Sequence, residues 1–110
     1  RLDYVQFESG GNILTAESIF QLDDLSAVLT KYPSLKIEVG GHTDNTGDPA
    51  VNKTLSQQRA DVVKDYLTGK GIPAGRLSSV GYGSSKPADT NDTDAGRQKN
   101  RRTEFRIISN

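Results

Sequence analysis

Cysteine, methionine and tryptophan are all missing from this 110-residue chain. Without cysteine, neither a disulfide framework nor a thiolate-held zinc site is available. With one histidine, His42, a metal site built on two histidines is excluded as well. No apolar run approaches the length needed to cross a bilayer as a helix. An excess of either charge is also lacking: 14 basic side chains stand against 14 acidic ones, for a formal net charge of zero. Sequence-nonspecific nucleic-acid binding usually needs a basic excess to displace counterions, so that class is disfavoured. The chain opens on Arg1 and Leu2 with neither an initiator methionine nor an apolar signal region. The expectation is a piece of a longer precursor, with any targeting or membrane segment upstream.

What is present reads as one domain over residues 1–110, long enough for a single two-layer core. The stretch "DYVQF" (3–7) is rich in strand formers and stops at a Gly10-Gly11 turn. From Thr15 to Tyr32, Ile19, Leu22, Leu25, Val28, Leu29 and Tyr32 recur at helical spacing. Thr15 suits the N-cap, Glu17 the first turn, and Pro33 closes the segment. In "LKIEV", Leu35, Ile37 and Val39 alternate with Lys36 and Glu38, the pattern of a half-buried strand. A second helix is expected from about Lys53 to Thr68, ended by Gly69 and Gly71. "RLSSVGY" (76–82) reads as a strand, "GSSKPADTNDTDAG" (83–96) as a long polar loop, and "TEFRII" as a closing strand. Tyr32, Tyr66, Phe20 and Phe105 fit core positions.

Alternating strands bury one sheet face, so both helices should pack on it. The first two crossovers suit parallel neighbours, and the polar loop returns the last strand antiparallel. The expected fold is an α+β two-layer sandwich, βαβαββ, with a mixed four-stranded sheet.

Two charges stand out against this pattern. At about 100° per residue, Leu55, Val62 and Tyr66 cluster on one side of the second helix, and Arg59 falls among them. A buried guanidinium needs an acceptor, because an unpaired buried charge is costly. Placed in the first turns of the helix, Arg59 faces the loop leaving the preceding strand, and that loop carries Asp44. Open α/β sheets form ligand crevices at this carboxyl end. A carboxylate and a guanidinium a ligand's width apart suit a zwitterion, the one taking an ammonium and the other gripping a carboxylate. The other readings are an internal Asp44–Arg59 bridge, or an Arg59 whose stem packs while its head reaches water.

The motifs "GHTDNTG", "N..LS..RA" (52–60) and "GR..NRR" (96–102), with "VGYGSSKP" between them, resemble the OmpA-like peptidoglycan-binding domain family. The likeness runs from about Val5 to Ile108. It implies a non-enzymatic anchor that holds an outer-membrane or envelope protein of Gram-negative type to the cell wall from the periplasm. The implied ligand is peptidoglycan, through the diaminopimelate of its stem peptide, with Asp44 holding the ammonium and Arg59 the carboxylate. Thr43, Asn52 and Leu55 match motif positions around the same pocket, and Arg101 matches a position near the ligand. No cofactor and no nucleic acid are implied, and a membrane is involved only through segments outside these residues. Two positions depart from the family pattern: Gly40 replaces a larger residue, and Glu8 in "FESGGNIL" stands where aspartate is common.

Other features carry weaker chemistry. A His42–Asp44 metal site is conceivable, but a turn histidine bonded to backbone is favoured. A lone histidine among serines is not a catalytic triad, and no GxSxG elbow is present. "DTNDTD" lacks the EF-hand register and reads as a solvated loop. The basic run "GRQKNRRTEFR" would suit an anionic partner, yet the acids elsewhere favour a ligand-facing or solvated strand edge.

Overall fold

Thr15 starts the first helix as its residue type foretells, its side-chain oxygen accepting the Ser18 N–H at 3.2 Å. The computed structural model describes residues 4–5 and 14–109. In chain order these form β1 (Tyr4–Val5), α1 (Ala16–Lys31), β2 (Lys36–His42), α2 (Pro49–Gly69), a single 3-10 turn (Ala74–Arg76), β3 (Leu77–Gly83), α3 (Asp94–Asn100) and β4 (Thr103–Ser109). The Gly10-Gly11 turn, Glu8 and the remainder of the expected first strand lie outside the described residues.

Helix α1 ends by donation from outside. The last carbonyls of any α-helix lack intrahelical partners, and here Arg76 meets one of them and two carbonyls of the chain just beyond. Its Nη2 donates to Leu29 O and Tyr32 O, both at 2.8 Å, and its Nε to Leu35 O at 3.0 Å. Helix α2 starts at Pro49 rather than near Lys53. Asp48 caps it, accepting the Ala50 N–H at 2.7 Å, and Pro49 occupies a first-turn position where its missing N–H costs nothing.

The architecture is the expected α+β two-layer sandwich with both main helices on one sheet face. The sheet order is β1-β4-β2-β3, with β1 contributing two residues at one edge. Strands β2 and β3 are parallel, and β4 runs antiparallel to β2 and β1. The expectation that the first crossover joins sheet neighbours is therefore corrected: β4 lies between β1 and β2. Among the described residues, the basic closing strand is interior only at Thr103 and Glu104, where β1 pairs with it, and Arg106 to Ser109 are exposed.

The core lies between the sheet and the helices. Leu22, Leu25 and Leu29 from α1, Ile37 and Val39 from β2, and Ala60, Val63 and Leu67 from α2 are all buried there. Each fully buried leucine contributes about 1.5–3 kcal/mol. Two of the four aromatic assignments fail. Phe20 is 73% exposed, because it lies opposite the Leu22–Leu29 stripe on α1, and Tyr32 is 53% exposed, because it follows the last helical turn. Tyr66 and Phe105 are half-buried and pack against the core. The inward face of α2 is also displaced from the expected one. Ser56, Ala60, Val63 and Leu67 form it, while Leu55, Val62 and Tyr66 are half-buried on its flank. Arg59 sits at the boundary between the two stripes.

Candidate functional site

Glycines decide how close α2 comes to the sheet. A Cβ on Gly41 would lie 2.0 Å from Ser56 O, and one on Gly81 would lie 2.6 Å from Gln57 N. With both side chains absent, α2 binds the free edge of β3 directly. Gln57 Nε2 donates to Ser79 O at 3.2 Å, Gln57 Oε1 accepts the Gly81 N–H at 2.8 Å, and Ser56 Oγ accepts the Gly83 N–H at 3.0 Å. Arg59 is one turn further along this face. It stands mid-helix rather than in the first turns, since α2 begins earlier than its apolar pattern indicates. Helical side chains lean toward the helix N-terminus, so the long Arg59 side chain runs back toward the strand ends. It is 5% exposed.

Asp44, in the loop leaving β2, is 6% exposed. Its Oδ1 accepts the Thr46 N–H at 2.8 Å, and its Oδ2 accepts from Arg101 Nη1 at 2.5 Å. Burial pushes the Asp44 carboxyl up, but the Thr46 and Arg101 hydrogen bonds outweigh it and hold the group below its usual range. Arg59 is pushed down by burial and by the like charge of Arg101, and Asp44 partly restores it. Asp44, Arg59 and Arg101 thus form one electrostatic cluster. Asp44 forms an ion pair with Arg101 through its Oδ2.

The other expected site residues divide into braces and an outlier. Thr43 donates its N–H to Gly83 O and its Oγ1 to Asp44 O, both at 2.8 Å. Asn52 Nδ2 donates to Thr46 O at 2.8 Å. Both therefore shape the Asp44 loop with their polar groups. Leu55 lies instead in an open depression with Ala50, Val51, Thr54 and Gln58, which none of the three charged residues lines.

The segment that delivers Arg101 is more ordered than a polar loop. Thr93 caps α3 by accepting the Gly96 N–H at 3.0 Å, and Asp94 and Lys99 bias its ends as the helix dipole favours. A Cβ on Gly96 would lie 2.0 Å from Thr90 O, so glycine permits the loop to fold onto the helix. Asn100, fully buried, accepts from Ala88 N at 2.7 Å and Asp89 N at 2.9 Å. It donates to Asp89 O at 2.9 Å and Asn91 Oδ1 at 2.8 Å. Neither α3 nor Asn100 was legible as long as 83–96 read as one loop. The Thr93-Asp94 start followed by Arg97 and Lys99 is the signal that marks the helix. Asn100→Ala strands several of these groups and is expected to destabilise the domain by about 2 kcal/mol, measured by urea unfolding. Amide exchange in residues 88–91 should quicken beside it; an unchanged midpoint and unchanged exchange would count against this role.

On the sheet face away from the helices, His42 is the last residue of β2 rather than a turn residue. It is 3% exposed and stacks on Tyr82 with ring centroids 5.2 Å apart. Its Nε2 lies 3.6 Å from Glu104 Oε2, so the expected backbone bond of the side chain gives way to a carboxylate neighbour. Among the described residues, no group of three His, Cys, Asp or Glu side chains converges as a metal site. The basic run is internally paired: Arg97 with Asp94, Lys99 with Asp89, Arg101 with Asp44, Arg102 with Glu104 and Arg106 with Glu38.

A sequence profile described as the OmpA family matches residues 6–101. The chain is 46% identical over 89 residues to a peptidoglycan-associated lipoprotein of Haemophilus influenzae, spanning 81% of this chain and 58% of that protein. It is 41% identical over 103 residues to outer membrane porin F of Pseudomonas fluorescens, spanning 94% of this chain and 32% of that protein. Among solved structures, the peptidoglycan-associated lipoprotein of Burkholderia pseudomallei superposes with a TM-score of 0.90 at 25% identity, over 96% of this chain and 89% of that one. The cell wall anchor of the T6SS from Pseudomonas aeruginosa gives 0.83 at 30% identity, over 96% and 76%.

Proposed function

The chain belongs to the OmpA family, and on that premise we propose that it binds peptidoglycan noncovalently. The binding anchors an outer-membrane or envelope protein to the cell wall from the periplasmic side. The domain does no chemistry on its ligand. The reading draws support from relatives named as peptidoglycan-associated lipoproteins and from the likeness to a cell wall anchor. The observation that carries it is the cluster of one buried carboxylate and two guanidiniums, Asp44, Arg59 and Arg101, at the carboxyl end of β2.

Residue by residue, Asp44 takes the ammonium of the diaminopimelate amino-acid centre and Arg59 takes its carboxylate. Arg101 lies at the mouth of the same site, and Thr43 and Asn52 hold the Asp44 loop in shape. Leu55 offers its apolar surface outside this clamp, in the separate depression it lines with Val51 and Thr54. Charge-assisted hydrogen bonds contribute roughly 1.5–3 kcal/mol each. At about −0.3 kcal/mol per heavy atom, an amino-acid-sized ligand reaches millimolar affinity or slightly better. A polymeric wall and a tethered protein raise the effective concentration, so a weak site suffices.

The test is titration of the domain with meso-diaminopimelate and with diaminopimelate-containing muropeptides, alongside Asp44→Ala and Arg59→Ala, with folding followed by circular dichroism. Saturable binding by the native domain, weakened by about tenfold or more in each folded variant, is the expected result. Binding that survives both substitutions moves the site elsewhere. A second reading follows from the Asp44–Arg101 ion pair: a protein-interaction module of the same fold in which these charges are structural. Absence of binding at millimolar ligand, with Asp44→Ala unfolded, would favour it.

A further inference from the structure

Both oxygens of Asp44 are already engaged, Oδ1 by the Thr46 N–H and Oδ2 by Arg101. We propose that Arg101 is an internal occupant of the ammonium position, displaced by ligand, and that this exchange makes the site select a free amino-acid centre over a plain amine or a carboxamide. The inference rests on the reading that Asp44 receives an ammonium.

The geometry separates a fixed backbone from a movable side chain. The backbone of Arg101 is held by its N–H on Arg97 O at 3.1 Å and lies between buried Asn100 and buried Arg102. The Arg101 side chain is 46% exposed, and its guanidinium has Asp44 as its hydrogen-bond partner among the described residues. The Asp44 side chain beneath it is 8% exposed. The carboxylate is therefore reached by moving one side chain and no backbone.

The number of ion pairs then sets the specificity. An amine that takes Asp44 from Arg101 replaces one ion pair with one ion pair and leaves a released guanidinium close to the like charge of Arg59. That exchange has little driving force. An amino-acid centre brings its own carboxylate, which the released Arg101 grips beside Arg59, so the one internal pair gives way to pairs at both the ammonium and the carboxylate of the ligand. Amidation of that carboxylate removes the second pair and should weaken binding as strongly as loss of the amine does. Arg101 thus sets which ligands enter, beyond contributing attraction of its own.

The probes are meso-diaminopimelate and 1,5-diaminopentane, which keeps both amines and their spacing but lacks both carboxylates. Each is titrated into the native domain, Arg101→Ala and Arg101→Met, the last keeping most of the stem. The reporter is the amide resonance of Thr46, whose proton Asp44 holds. The native domain should take diaminopimelate and leave diaminopentane unbound. Both variants should gain diaminopentane affinity by about tenfold or more, the release of one charge-assisted bond, while diaminopimelate affinity changes far less, so the preference between the two ligands collapses. Unchanged diaminopentane affinity in both variants overturns the exchange, whatever happens with diaminopimelate. Failure of the native domain to take diaminopimelate, with diaminopentane bound by the variants, overturns the functional reading and leaves the exchange standing.

Discussion

Gly41→Ala is expected to destabilise the domain by about 3 kcal/mol or more, near the upper end of what overpacking does. The reason is the atom that the new methyl meets. Its Cβ would lie 2.0 Å from Ser56 O and 2.7 Å from the Ser56 carbonyl carbon, both helix backbone. A flexible side chain could swing aside, but α2 must lift as a unit. Lifting it breaks the bonds that Ser56 and Gln57 make to Gly83, Gly81 and Ser79 along β3. It also withdraws Arg59, one turn further on, from the Asp44 loop, so ligand affinity should fall together with stability. Gly40→Ala is the control in the same strand. That residue points to the opposite sheet face, and its Cβ would meet the Tyr82 ring at 3.0 Å, a contact that a side chain relieves by a few tenths of an ångström. Urea unfolding of both variants separates the two cases. Equal losses at Gly40 and Gly41 would show that close helix approach is not what these glycines provide.

The same contacts explain which parts of the molecule were legible in the sequence. Thr15, the alternation of Ile37 and Val39 and the Gly69–Gly71 stop are local signals, and each element forms where its signal lies. The start of α2 was equally local, an Asp48 cap with Pro49 behind it, but the apolar pattern drew attention to Lys53 instead. The inward face of α2 was not local. Periodicity favours the larger residues Leu55, Val62 and Tyr66, yet the helix turns the small Ser56 and Ala60 inward, because Gly41 and Gly81 let the backbones approach there. The wheel of a single helix does not contain that information. Sheet order was hidden for a similar reason, since insertion of β4 between β1 and β2 depends on pairings far apart in the chain. At the site, Asp44 and Arg59 were legible as misplaced charges. The ion pair between Asp44 and Arg101 was not. Arg101 reaches Asp44 because four hydrogen bonds of Asn100, two backbone N–H groups among them, fold the segment before it.

Acid should weaken the native domain by about 2 kcal/mol between pH 6.5 and 5. His42 is the cause. Its pKa falls from 6.5 to about 4 through burial first and then through the positive charges of Arg102 and Lys86, with Glu104 and Glu38 opposing. Below pH 6.5 the unfolded chain takes up a proton at this histidine while the folded protein does not. Unfolding is therefore favoured progressively down to about pH 4, where the folded form also protonates. The carboxylates act lower and through the opposite shift. Glu38 is held below 4.5, and Asp23, Asp44 and Asp89 below 3.8, so the stability they contribute is present above those values and fades beneath them. The window from pH 6.5 to 5 consequently belongs to His42 among the shifted groups. His42→Phe keeps a ring against Tyr82 and removes the titration, so its unfolding free energy should stay level across that window while the native curve declines. Parallel curves would assign the decline to another group.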